Sequence, residues 1–567
     1  MKRILAFLLA MVMVLALAAC AKTPAADTNT PAEDNNVQEP ADTNEPADTD
    51  EPADTNEPAD TNEPADDTTT DENDPWGGLQ FPLSTEGDTF RFFRATTTAL
   101  TYFYDSLDEV PQFIDAEKRT GVHINWEVVS DFDTQFPLMI ASGDWADCAS
   151  SWTKGGDLAT YAEDEIVLEL SDLIEEYCPN YNNRRTEDAA IARDTSTDEG
   201  LVLAFYNIKQ SIQGSWMGPW ARADWVDAWG GGAIKTYADW EDYLSWAVAN
   251  HTDMTIPYIF NANGLDRYLL SGYDLSDSWL VENGEVKYSP LQPAMKDYVQ
   301  MCHGWYEKGL INDYAFSGER LFFDDYAQGG CAMATSFQNW WDTVYGYAED
   351  PNFGMLAITP PMLDADHHRR IETGSSPMTR NESLSAYLFT SCDKPEILCQ
   401  WFDQWFSDAG AIAADYGIEG ESFYFNEDGK PTFTDDILHN SEGYGYSTAW
   451  LKYIDSNIPR YYDWTREQND AMPASGLEAQ VIWDEGWVDE LTYPQFATRN
   501  GEEGERYSSI MSDVETTLNE NVPKFIRGDR PMSEWDSFVE QLTSMNVEEA
   551  REIQQAAYDR YMARPVD

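Results

Sequence analysis

Between Thr89 and Ser151 the apolar positions change period several times. Thr89 to Ala95 (TFRFFRA) predicts a first strand, and Leu107, Val110, Phe113 and Ile114 keep one apolar face and predict a helix. Gly121 closes that helix, and His123 to Val129 (HINWEVV) alternates as a second strand. An apolar segment from Phe132 to Ala141, a polar SGDWAD turn and the short run Cys148 to Ser151 complete a strand, helix, strand, helix, strand order. That order predicts a doubly wound α/β sheet, in which ligands meet the carboxyl ends of the strands.

The same reading carries down the chain. Glu165 to Tyr177 reads as a helix entry, Leu201 to Tyr206 (LVLAFY) as a strand, and Arg222 to Gly230 and Lys235 to Val248 as helices. Gly329 to Thr335 (GGCAMAT) predicts a strand running into Ser336-Phe337-Gln338-Asn339-Trp340-Trp341. Phe353 to Pro361 predicts a strand stopped by two prolines, Leu384 to Phe389 another strand, and Pro395 to Phe406 a helix. Ser512 to Met562 is helical, with apolar residues at helical spacing.

The first 75 residues follow neither period. Lys2 and Arg3, the apolar run Ile4 to Leu17 and Leu17-Ala18-Ala19-Cys20 have the form of a leader whose small-residue cleavage site ends on a lipid-accepting cysteine. The run is too short for a lasting membrane span. Cys20 is therefore the expected lipidation site, and the mature protein is expected on the outer face of a membrane. From Ala41 to Pro64 the hexads ADTNEP, ADTDEP, ADTNEP and ADTNEP follow one another, and no aromatic or large aliphatic residue occurs after Val37 until Trp76. Such a segment cannot bury enough apolar surface to offset its ordering entropy; it predicts an extended spacer reaching on the order of 40 Å.

Charge narrows the function classes. The net charge is -68; the leader holds two positive charges and residues 21–74 a net of -17, which leaves -53 on residues 75–567. Nucleic acid is excluded as an expected partner, because its affinity comes largely from Lys and Arg neutralising phosphates. A neutral or cationic ligand fits such a field better than an anionic one. Beyond Cys20 six cysteines stand at irregular spacings without a CxxC, and buried free thiols are the favoured reading.

On the stretches ASGDWAD (141–147), YAEDEIVLELSDLIEEYCPNY (161–181), RADWVDAWG (222–230), WYEKGLIND (305–313), DYGIEGESFYFNEDGKPTFT (415–434), PKFIRGDRPMSEWDSFV (523–539) and QQAAYDRY (554–561), the chain resembles the extracellular solute-binding lipoproteins of carbohydrate ABC transporters. The resemblance, to the large maltose-binding-protein-like group, covers nearly all of the mature chain. It implies a type II periplasmic-binding-protein fold, two α/β lobes closing over a ligand with a helical C-terminus. One lobe is expected from residues 76–210 with 377–445 and the other from 211–376 with 446–567, after a leader (1–19) and tether (20–75). Crossings between lobes are expected at Leu201 to Gln210, near Glu372 to Arg380, and near Gly443 to Trp450. The implied partners are a saccharide and two permease subunits; no cofactor and a monomer are expected.

Sugar rings lay their C–H faces on aromatic side chains and pair their hydroxyls with polar groups. Trp152, directly after a predicted strand, matches the family's stacking position, although Ala146 stands where the family has proline; Asp157 follows it. Trp340 and Trp341 follow GGCAMAT as the second lobe's stacking tryptophan does, one facing the cleft and one the core, with Gln338 or Asn339 beside a hydroxyl. Trp216, Trp220 and Trp464 lie in polar or Gly/Pro-containing loops, and Thr96 to Thr98, with Thr97 at their centre, and Tyr102 offer a polar rim. Glu419, Phe260, Asn261 and Tyr268 are weaker candidates.

His367-His368 does not make a metal pair, because adjacent histidines do not face one site and no third ligand stands nearby. Asp324-Asp325 lacks the oxygen spacing of a calcium loop. Two alternatives remain open at this level: a surface glycoside hydrolase, which needs two carboxyls about 5–10 Å apart, and a peptide or amino-sugar binder on the same scaffold.

Overall fold

The computed structural model describes residues 74–152, 155–319, 321–371, 381–466, 472 and 474–566. The leader, Cys20, the tether and the expected crossing at 372–380 lie outside the described residues.

Among the described residues fourteen strands follow in chain order: β1 (Thr89–Ala95), β2 (His123–Val129), β3 (Cys148–Trp152), β4 (Phe205–Lys209), β5 (Met217–Arg222), β6 (Ile256–Tyr258), β7 (Trp279–Glu282), β8 (Glu285–Tyr288), β9 (Cys331–Phe337), β10 (Met355–Ala357), β11 (Asn381–Leu388), β12 (Phe423–Phe425), β13 (Pro431–Phe433) and β14 (Tyr461–Tyr462). A first sheet has the order β14-β4-β11-β3-β1-β2 and a second the order β10-β5-β9-β6, with two separate hairpins, β7-β8 and β12-β13. In the first sheet β1, β2 and β3 run parallel, β11 is antiparallel to β3 and β4, and β14 runs parallel to β4.

Alternation along β1 explains how the first sheet buries both faces. Phe92 packs with Trp401, Phe402, Phe205 and Tyr181 on one side, and Phe93 with Phe136, Tyr387 and Phe389 on the other. The helix Pro111–Thr120 starts on proline at its first turn and ends on Gly121 at φ +69°. A Cβ there would stand 2.2 Å from the Ser84 carbonyl oxygen, so glycine is required twice over. Around the second sheet a larger core forms from Trp220, Trp240, Trp305, Trp341 and Trp483. The helix Gly501–Arg527, opened by a capping box between Asn500 and Glu503, lays a stripe of Met511, Val514, Leu518 and Val522 against that core.

The last helix, Val547–Ala563, spans from one core to the other. Val547 and Ala550 pack into the second sheet's core, while Tyr561 belongs to the cluster on the first sheet. Its end is pinned to the loop before β4: Tyr561 Oη donates to Asp194 Oδ1 (2.7 Å), and Arg560 and Arg564 Nε donate to the two oxygens of Asp198 (2.7 and 2.8 Å).

Several expectations shift. Leu201–Ala204 lies outside the ladder, which begins at Phe205; the Val202 carbonyl accepts from the Leu170 amide and its amide donates to Ser171 Oγ, while Leu201 bonds to Thr197 and the Ala204 carbonyl accepts from Tyr181 Oη. Glu165 to Tyr177 yields a helix only from Ser171. The chain stays with the first sheet beyond residue 445, since Tyr461 and Tyr462 pair with β4 and Ile458 lies in that sheet's core. The third passage between sheets therefore falls after Tyr462, not near Gly443 to Trp450. The six cysteines from Cys148 to Cys399 are buried and free.

Two buried carboxyls make stability pH-dependent. Burial pushes Asp403 up to about 7, although it accepts from the amides of Asn180 and Tyr181 and from Asn180 Nδ2. Burial likewise pushes Asp266, which caps the helix Arg267–Ser271, up to about 6. Both values lie above the ordinary 3.8, so folding takes up protons between about pH 4 and 7, and this stabilisation is lost as pH rises through that window. The melting temperature is expected to rise as pH falls from about 8 to about 6, and to do so in high salt, which screens surface repulsion but not buried groups. A calorimetric pH series in high salt with its maximum near pH 8 would contradict this.

Candidate functional site

The strand registers bring chemistry to one edge of the first sheet. β1, β3 and β4 all end there, at Ala95, Trp152 and Lys209, next to the start of β11 and the end of β14. Lys209 is fully buried, with its Nζ 3.3 Å from Glu382 Oε1. Tyr462 Oη donates to the same oxygen (2.8 Å), and Asn207 Nδ2 donates to Oε2 (2.9 Å). Burial raises the Glu382 carboxyl, but Lys209, Asn207 and Tyr462 outweigh it and hold it below its ordinary value. Glu382 keeps 22% of its side chain exposed, so this ionised group faces the edge rather than the core.

Residues 210–216 lead from Lys209 to Met217, the first residue of β5, which pairs with Phe337 at the end of β9. The linker is held at both ends. Trp464 Nε1 donates to Ser211 Oγ (2.9 Å), and Asp484 Oδ1 accepts from the Ser215 amide (3.0 Å). A groove of about 370 Å³ opens beside it, with Gln210, Tyr461, Asp463 and Asp415 in its walls.

On the second sheet's side the end of β9 carries aromatic rings. Trp216 lies 4.6 Å from Phe337 between ring centres, Phe337 meets Trp340 edge-on at 4.7 Å, and Trp340 meets Phe323 edge-on at 5.3 Å. Trp340 is 40% exposed and the neighbouring Phe322 70%, an apolar ledge where the strand leaves the sheet. The next residue does the opposite. Trp341 is fully buried, donates from Nε1 to Ser336 Oγ (3.2 Å) and packs edge-on against Trp483.

The structure thus separates the sequence candidates. Trp340, Trp216 and Gln338 gather at the ledge, Gln338 being buried with its amide bonded to the Trp216 carbonyl. Trp464 joins the linker. Thr97, 5% exposed, is the N-cap of the helix Thr98–Tyr102, and Tyr102 stands 56% exposed at its end. Trp152 ends β3, Asp157 lies on the helix Gly155–Glu163 and Asn339 follows β9; their side chains lie outside what is described.

Of the pair expected to divide between cleft and core, Trp341 is the inner ring, and the expectations for Trp220 and for Phe260 and Tyr268 are corrected. Trp341 belongs to the core and has no surface for a ligand. Trp220 lies within β5 rather than in a loop, fully buried, because Gly218 lets the Trp483 ring lie against the strand. Phe260 and Tyr268 are core residues. Asn261 binds its own turn through the Leu265 carbonyl, and Glu419 is exposed beside a short bridge to Phe423. His367 stands 3.6 Å from Asp274, and among the described residues no group of three or more acidic, His or Cys side chains could hold a metal ion.

Sequence reasoning missed Lys209, Glu382 and Tyr462. The signal available was a lysine and a glutamate at the ends of two segments otherwise built to be buried, NIKQ and NESLSAYLF. Such charges persist in a core only when paired.

No family model matches the chain. Over 527 residues, 86% of this chain and 93% of the relative, it is 22% identical to the fructooligosaccharide ABC transporter substrate-binding protein FusA of Streptococcus pneumoniae. Its fold is similar to that of an extracellular solute-binding protein from Bifidobacterium longum subsp. infantis, with a TM-score of 0.69 and 14% identity over 84% of this chain and 99% of the other. It is similar as well to the alginate-binding protein AlgQ2 without calcium ion (TM-score 0.66, 17% identical, 84% and 99%). FusA of Streptococcus pneumoniae in complex with kestose matches with a TM-score of 0.65 at 18% identity, over 84% and 100%. At these identities the solved structures establish the fold, that of ABC-transporter solute-binding proteins, over 84% of the chain.

Proposed function

We propose that this chain, whose fold is similar to that of ABC-transporter solute-binding proteins, is the substrate-binding component of a carbohydrate ABC transporter. It captures a neutral sugar or oligosaccharide between two lobes and hands it to the permease. One lobe is built on the first sheet (about 76–210 and 381–463) and the other on the second (about 217–371 and 474–566). Lipid at Cys20 and the acidic tether hold it at the outer membrane face, within reach of the permease.

The observation that carries the reading is the meeting of two unlike edges across one short linker. The first sheet offers a polar floor, where the ionised Glu382 accepts hydrogen bonds, and Gln210 and Asp463 follow its partners Lys209 and Tyr462 in the chain. The second offers the Trp340 ledge. A saccharide presents both an apolar face and a hydroxyl rim, and this pairing matches it. Trp152, Asp157 and Asn339 are proposed as further contacts on the sequence grounds given above, with Trp216 and Trp464 beside the linker between the two edges. The strongly acidic surface supports a neutral ligand over an anionic one.

Binding without turnover is the expected behaviour. A thermal-shift panel of neutral, acidic and amino saccharides and of peptides, run on the protein without its leader, should show stabilisation by neutral saccharides. At a ligand concentration of a hundred times Kd the stabilisation is about 2.7 kcal/mol. Stabilisation by peptides alone would replace the saccharide with another ligand on the same fold.

A further inference from the structure

A second group of exposed rings lies on the first sheet's rim, outside the polar floor and the Trp340 ledge. The helix Thr98–Tyr102 follows the end of β1, at the edge that also carries Lys209 and Glu382. Tyr102 is 56% exposed, Phe103 is half-buried, and Tyr444, 37% exposed, reaches them from a distant part of the chain. Phe103 meets Tyr444 edge-on at 5.4 Å, Tyr102 meets Tyr444 edge-on at 6.4 Å, and Tyr102 and Phe103 are 6.1 Å apart.

The placement of Tyr444 is built rather than incidental. Asn440 Oδ1 accepts from the Tyr444 amide (2.9 Å), Asn440 Nδ2 donates to the Tyr444 carbonyl, and Gly443 supplies the left-handed turn at φ +81°. Below the cluster Tyr104 Oη donates to the Lys452 carbonyl and ties the helix end to the segment that carries Tyr444. The Tyr102 and Tyr444 hydroxyls find no partner among the described residues. The patch therefore presents flat apolar faces with free hydroxyls at their edges, held rigidly by groups that are themselves satisfied.

We propose that Tyr102 and Tyr444, backed by Phe103, form an outer saccharide subsite that binds units of a chain extending out of the cleft. The protein's preferred ligand is then a linear oligosaccharide long enough to reach the rim rather than a mono- or disaccharide. This rests on the saccharide reading above. Continuity argues for the occupant: the helix Thr98–Tyr102 follows β1 on the sheet edge that carries Glu382 two strands away, so a saccharide lying along that edge would meet both. A membrane is the poorer occupant, since the net charge of -53 on residues 75–567 opposes the anionic surfaces that hold peripheral proteins.

The test is affinity against chain length. Fructooligosaccharide and maltooligosaccharide ladders, from disaccharide to octasaccharide, are titrated into wild type, Tyr102→Ala, Tyr444→Ala and Tyr102→Phe. Affinity of the wild type should grow with length to a plateau. Each alanine variant should lose up to about tenfold on the longer members, the contribution of one ring, and nothing on the shortest that bind. Tyr102→Phe should keep most of the gain. Equal loss at every length, or no loss, in a protein that still binds would overturn the subsite alone. Wild type that binds no member of either ladder, and no saccharide of the panel, would instead sink the reading on which it rests. Binding to phosphatidylcholine or phosphatidylglycerol vesicles that the same alanine changes abolish would assign the patch to lipid and overturn the proposal.

Discussion

Trp341→Ala is expected to destabilise the protein by about 3–5 kcal/mol, the usual cost of truncating a large buried aromatic, whereas Trp340→Ala leaves the melting temperature nearly unchanged and weakens ligand binding. The two residues are neighbours in sequence and opposite in surroundings. The Trp341 ring is fully buried against Trp483, and its indole N–H is satisfied by Ser336, so its removal opens a cavity and strands a hydroxyl. The Trp340 ring, 40% exposed, touches Phe323 and Phe337 only edge-on and leaves a face for a ligand. Its loss should cost about 1–3 kcal/mol of binding, some five- to 150-fold in Kd. Denaturation and titration of both variants decide it. A Trp340→Ala protein that binds as wild type would remove the ledge from the site.

The second large effect is expected at Glu382. Glu382→Ala takes the carboxylate away from a fully buried Lys209 and strips Tyr462 and Asn207 of their acceptor. Breaking a buried pair from one side costs about 3–5 kcal/mol, because the remaining charge keeps its desolvation penalty. Ligand affinity should fall with it, since the same carboxylate forms the polar floor. Lys209→Met combined with Glu382→Leu should recover much of the stability while leaving binding impaired. That split separates the floor's structural part from its part in recognition. Recovery of both together would mean that Glu382 never meets the ligand.

How legible the chain was depended on how local each determinant is. β1 and β2 carry their signal in their own alternation, and Gly121 announces the turn it makes, so these could be read directly. β5 could not. MGPWAR contains the glycine and proline that usually mark a loop, yet Gly218 makes room for a ring from residue 483, and the Pro219 carbonyl accepts the Trp483 indole N–H at 2.8 Å. The reason for the strand lies far along the chain. The same holds for the passage after Tyr462: β14 is two residues long, and only its pairing with β4 reveals where it belongs. At the site, a tryptophan after a strand was visible as a candidate. Which of two adjacent rings turns outward depended on Trp483 and Ser336, and the Lys209–Glu382 floor on a pairing between residues 173 positions apart in sequence.

The most direct test of the central claim is calorimetric titration of the protein, without its leader, with the neutral saccharide that stabilises it most, followed by recovery of that saccharide after long incubation. The account predicts one binding site per chain, saturation, and a ligand recovered intact with no new reducing ends. Steady release of reducing ends, or heat that never saturates, would contradict it.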